Sequence, residues 1–165
     1  MRFLVIATVL SLFALLGRTA FAASEADAAP TFTRLQFKGN AQSSEAYGVS
    51  YPRMPLSASG SGNATELGQF TLVYRGEISF TDLSTVESAQ FIGSNGDSIE
   101  VTGVGQAAET TTSGIYTLVQ IYKVTGGRGR FANAQGTITL NRTVNMISGL
   151  TYSTFEGYLL VPSQK

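Results

Sequence analysis

From Leu67 the chain alternates. Phe70, Leu72, Tyr74, Ile78 and Phe80 share one parity, and Gln69, Thr71, Arg75, Glu77 and Ser79 share the other, with Val73 the one apolar residue among them. A period of two predicts an antiparallel strand with a dry face and a wet face. Gly76, on the dry parity, marks a bend or bulge of the kind a barrel needs at a corner. Residues 85–92 and 98–104 predict a hairpin around 93–97, where Asn95-Gly96 tolerates positive φ. Ile115 to Thr125 is apolar on both parities: Tyr116, Leu118, Tyr122 and Val124 on one, Ile115, Val119 and Ile121 on the other. A strand of that kind is covered on both sides, and in a small barrel the outer cover is expected to be another subunit. Residues 136–145 and 150–161 form the last hairpin, turning at 146–149. Upstream, 31–38 reads as a first strand. Residues 39–65, rich in Gly, Ser, Ala and Asn, read as a long loop or flap, with Tyr47, Val49 and Tyr51 alternating as a short edge strand. Nothing repeats at helical spacing. Regular strands without helices predict a sandwich or barrel.

The first stretch stands apart. Met1-Arg2 precedes an uncharged apolar run from Phe3 to Leu16, and Ala20-Phe21-Ala22 has the small-x-small form of a signal peptidase site. Residues 1–22 are therefore expected to be a signal peptide, 23–30 a disordered leader and 31–165 the folded domain. The run is shorter than the ~20 residues a span needs, so no stable membrane anchor is expected. The predicted location is secreted or periplasmic.

Composition narrows the chemistry. The 165 residues include 18 Gly and are only 13% charged, which suits a β-rich domain. His and Cys are absent. That excludes Ser-His-Asp and Cys-His catalysis, thiol redox chemistry, haem on His and the usual zinc sites, leaving only an all-oxygen cation site open. No metal and no cofactor are called for. No basic patch exists, so nucleic acid is not an expected partner.

The most distinctive text is Gly126-Gly127-Arg128-Gly129-Arg130-Phe131-Ala132-Asn133-Ala134-Gln135-Gly136. Closely spaced Gly permits tight or left-handed backbone, Phe131 can turn inward as a plug, and Ala134 is small enough for close packing. A phosphate loop would need a following helix, and here a strand follows. The segment resembles the Gly-Gly-x-Gly-[Lys/Arg]-Phe-x-x-Ala-x-Gly turn of allene oxide cyclase and dirigent-type barrels. Leu67-Gly68-Gln69-Phe70-Thr71, Asn95-Gly96-Asp97, Gly149 and Phe155-Glu156-Gly157 look like exported bacterial relatives of that group. The resemblance implies an eight-stranded antiparallel barrel, often trimeric, holding an apolar substrate inside. The cyclase's Cys has no counterpart here, and no catalytic residue of the family maps onto this chain.

Candidate ligand-binding residues follow from the pattern. Arg142 lies on an apolar strand face, where an unpaired guanidinium is costly. It is expected either to pair with a carboxylate, Glu156 being the nearest partner in sequence, or to hold an anionic ligand. Tyr74, Tyr116 and Tyr122, with Phe155, are candidates for the wall of a cavity around a flat apolar ligand. Arg75 and Glu77 are expected to pair on the surface, and Glu87 and Glu100 to be solvated. The first functional reading is a non-catalytic barrel binding a small apolar or phenolic molecule, assembled as a homotrimer or homodimer. The alternatives are an interaction module with a filled barrel and a cofactor-free isomerase, cyclase or coupling guide.

Overall fold

In the computed structural model, which describes residues 30–163, eight antiparallel strands close into one barrel. They are β1 (Phe32–Tyr47), β2 (Arg53–Ala64), β3 (Gly68–Ser79), β4 (Ser84–Gly93), β5 (Ser98–Glu109), β6 (Ile115–Arg128), β7 (Gln135–Asn145) and β8 (Leu150–Pro162). Each strand pairs with the next, and β8 pairs with β1 from Phe32↔Pro162 to Ser44↔Leu150. The all-β, single-barrel expectation holds. The predicted signal peptide and all of the predicted leader except Pro30 lie outside the described residues.

The two-residue period sorts side chains inward and outward on every strand. β7 shows it cleanly: Ile138, Leu140, Arg142 and Val144 are buried, while Asn141 and Thr143 are exposed. The end of the barrel carrying the chain termini is packed solid. Phe37, Phe70, Phe91 and Phe155 meet there edge-on or stacked, with ring centroids 5.2 to 6.0 Å apart. Such pairs prefer offset and T-shaped contact, which fills space from four strands at once. Phe131 is buried against the same core, carried there by a short 3-10 turn, Gly129–Phe131. Ala134 is buried beside it.

The expected loop at 39–65 is replaced by the second half of β1 and all of β2. The reason is spatial. A Cβ on Gly39 would stand 2.7 Å from the Phe155 ring, and one on Gly62 would stand 2.6 Å from the Phe70 ring. These strands carry small inward residues because large rings from the paired neighbouring strands, Phe155 opposite Gly39 and Phe70 opposite Gly62, already fill the space. Composition therefore disguised them as loop. The proposed edge strand through Tyr47, Val49 and Tyr51 is also corrected. Tyr47 ends β1, and Val49 and Tyr51 lie exposed in the connection to β2. Arg75 and Glu77 do not pair with each other; Glu77 bonds Arg53 across the β2–β3 register at 2.6 Å.

Candidate functional site

At mid-height the barrel interior turns polar. Arg142 of β7 reaches across to Glu87 of β4 and Glu45 of β1. Its two terminal nitrogens bond Glu87 side-on at 3.1 and 3.0 Å, and one of them also reaches Glu45 Oε1 at 3.3 Å. The other lies 3.3 Å from the Tyr122 hydroxyl, which itself donates to Glu87 at 2.7 Å. Tyr74 donates to Glu45 Oε1 at 2.5 Å, and its ring lies under the guanidinium carbon at 4.5 Å. Tyr47 donates to Glu45 Oε2. Side-chain exposure of Arg142, Glu45 and Glu87 is 3%, 1% and 0%, so these charges are removed from water and depend on one another.

Local structure makes room for this cluster. Gly76 pairs with Glu87, and a Cβ there would meet the Val86 carbonyl and stand 2.5 Å from Glu87 Cγ. Gly103 pairs with Tyr122, whose ring occupies the place of the missing side chain. The register runs unbroken through Gly76 on both sides, so the expected bulge is not there, and the glycine serves instead as the berth of a buried carboxylate.

Protonation follows from these surroundings. Burial opposes the Arg142 charge, but Glu87 foremost, with Tyr122, Tyr74 and Glu45, more than offsets it and holds the guanidinium charged. Burial, then the bond to Glu45, raises Tyr47 well above an ordinary phenol. Burial likewise raises Tyr74 against the opposing pull of Arg142, and burial with Glu87 raises Tyr122. All three are neutral hydrogen-bond donors at neutral pH.

Above the cluster, at the end opposite the phenylalanine plug, lies a pocket of about 110 Å³. Met54, Leu56, Ile78, Leu118 and Val144 supply apolar walls, and Glu45, Tyr47 and Arg142 supply the polar groups. The space is somewhat smaller than the apolar cavity of about 150 Å³ that takes benzene.

The structure redistributes the sequence candidates. Arg142, Tyr74 and Tyr122 come together in the buried cluster, and Tyr116 lines the pocket. Phe155 belongs to the packed aromatic end, away from the pocket. Glu156 is exposed on the outer face of β8, and Arg142 sits opposite Ser153 in that register, so Glu156 is not its partner. Glu87, expected in solvent, is buried. Of the two expectations for Arg142, the structure shows the carboxylate pairing: Glu45, Glu87 and the Tyr122 hydroxyl take its terminal N–H groups. Glu45 went unnoticed because it lies in the stretch read as loop. Its one signal is parity with Phe37, Ala41 and Ser43 along an extended β1. Gly126, Gly127, Gly129 and Gly136 form the β6–β7 corner. Gly126, Gly129 and Gly136 hold φ of 155°, 64° and 148°, and a Cβ on Gly129 would collide with Asp97.

The closed eight-stranded antiparallel barrel has the dirigent-type fold, by its likeness to solved structures. Among solved structures it is similar to two pterocarpan synthase dirigent proteins. GePTS1 aligns at a TM-score of 0.54 and 10% identity, covering 81% of this chain and 93% of that one. PsPTS1 aligns at 0.56 and 13% identity, covering 81% and 97%. Likeness at this identity establishes the fold. No protein-family model matches the sequence, and no curated protein matches it.

Proposed function

We propose that this protein is a non-catalytic binding barrel for one small, single-ring apolar or phenolic molecule, held in the pocket above the Arg142 cluster. The observation that carries this reading is an apolar space of about 110 Å³ with Glu45 and Tyr47 among its walls. That volume is nearest the size of one ring, whereas drug-sized ligands need roughly 300 Å³ or more. The N-terminal apolar run supports a secreted or periplasmic setting. The exposed stripe of Val86, Val104, Val119 and Ile121 supports assembly into a homodimer or homotrimer.

The test is ligand-observed NMR on the wild type with single-ring and two-ring compounds of matched polarity. Single-ring compounds should bind, and Ala107→Phe, which fills the pocket from β5, should abolish binding while the melting curve stays cooperative. Binding that survives Ala107→Phe would place the ligand elsewhere and defeat the reading.

A second reading, a dirigent-type coupling guide or cofactor-free isomerase, draws support from the fold likeness and from a carboxylate and a phenol meeting at the pocket. It requires turnover: product formation from a bound phenol under oxidising conditions, altered in yield or stereochemistry by Glu45→Gln. Unchanged product in the presence of the protein counts against it.

A further inference from the structure

Glu45 divides its bonds unequally. Oε1 receives Tyr74 and Arg142, whereas among the described residues Oε2 receives Tyr47 alone. Tyr47 is the last residue of β1, half-buried, packed against both the main core and the smaller apolar cluster of Ala107, Leu118 and Val144. The residues that follow it form the β1–β2 connection, so its side chain can turn away without disturbing the ladder behind it. The arrangement also fixes what can replace it. Each terminal nitrogen of Arg142 already makes two bonds, and two carboxylates share that one guanidinium. With two carboxylates against one guanidinium, a third anion would add to the cluster's net negative charge and would meet a carboxylate oxygen. A hydroxyl would find an acceptor.

We propose that Tyr47 is the resident occupant and gate of the ligand site, and that the ligand is a neutral single-ring molecule whose hydroxyl takes over the bond to Glu45 Oε2. The proposal rests on the pocket-binding reading above. It makes the free protein self-liganded, so measured affinity is reduced by the fraction of time Tyr47 is turned in. It also makes the site reject carboxylates, although a guanidinium lies in its wall.

The experiment uses three probes of similar size: phenol, toluene and benzoate. Binding is measured on wild type, Tyr47→Ala and Tyr47→Ala/Glu45→Gln, with circular dichroism to confirm folding. Tyr47→Ala should bind phenol about tenfold or more tighter than wild type does, and tighter than it binds toluene, because a hydrogen bond to a charged acceptor is regained. Benzoate should bind none of the three. Adding Glu45→Gln should shrink the preference for phenol over toluene. Independently, wild type labelled with 3-fluorotyrosine, with the Tyr47 line assigned through Tyr47→Phe, should show that line moving as phenol binds. This arm stands even where Tyr47→Ala fails to fold. Equal phenol affinity in wild type and Tyr47→Ala, benzoate binding like phenol, or an unmoved Tyr47 line in the phenol complex would each overturn the proposal. Wild type taking toluene and phenol alike with Tyr47 still would leave the pocket reading standing and remove the gate. No binding of any probe to wild type or Tyr47→Ala would remove both.

Discussion

Arg142 is the residue on which the interior turns. A guanidinium on an apolar strand face was visible in the sequence as an anomaly, and the need for a buried partner followed from the cost of an unpaired charge. The partner's identity did not follow. Glu156 is close in sequence but points outward, whereas Glu45 and Glu87 reach Arg142 from the far side of the barrel, 97 and 55 residues away. Removing the cation leaves two buried carboxylates facing each other. Arg142→Met should therefore lose about 3–5 kcal/mol in urea denaturation. Arg142→Lys should also be less stable than wild type, since a single ammonium cannot reproduce the side-on fork to Glu87. The buried tyrosines set the alkaline limit. Because the folded protein raises Tyr47, Tyr74 and Tyr122 above their unfolded value near 10, their contribution is full below that pH. It falls as pH rises beyond, where the unfolded chain gives up those protons and the folded chain does not. Stability measured from pH 9 to 12 should decline, and the phenolate absorbance of these three should appear together with unfolding. A Tyr74→Phe/Tyr122→Phe variant should show a shallower decline.

At the scale of elements, alternation revealed β3, β7 and β8 because each carries large apolar residues on one parity, and β6 stood out as apolar on both. The second half of β1 and all of β2 escaped because many of their inward positions are Gly, Ala and Ser, complementary to rings that other strands supply. Low hydrophobicity there reflects a shared volume, which no local window contains. The glycine-rich corner is a local text with a distant reason. Asp97, from the β4–β5 turn, bonds both the backbone N–H and the side chain of Arg130, at 3.3 and 3.1 Å. Gly129, at φ 64°, leaves room for that carboxylate. Gly129→Ala should cost about 1–3 kcal/mol by thermal unfolding, through a left-handed backbone and a clash with Asp97. Asp97→Ala should loosen the same corner, seen as faster amide exchange across 126–131.

At the scale of the molecule, β6 keeps its two-sided apolar character in the fold. Tyr122 and Val124 are buried inside, while Val119 and Ile121 are 55% and 57% exposed outside. Ile121 pairs with Val104, which pairs with Val86, so the stripe crosses three strands. Val104→Glu/Ile121→Glu should shift the protein to monomer in light-scattering measurements at micromolar concentration, with the barrel's circular dichroism retained. A wild type already of monomer mass would overturn the proposed assembly, and an oligomer unchanged by the substitutions would show that this face does not hold it together.

Strand period and the Asn-Gly hairpin are written along the chain, since each depends on residues within a few positions of one another. From them the all-β class could be read directly as a sandwich or barrel, and the resemblance carried by the Gly126–Gly136 segment chose the barrel. The pairing of Arg142 with Glu45 and Glu87, the berths at Gly76 and Gly103, and the division of the interior into a solid aromatic half and a small pocket came from closure. Closing the sheet brings residues far apart in sequence onto one axis, and there steric exclusion and charge compensation act between strands that share no local text.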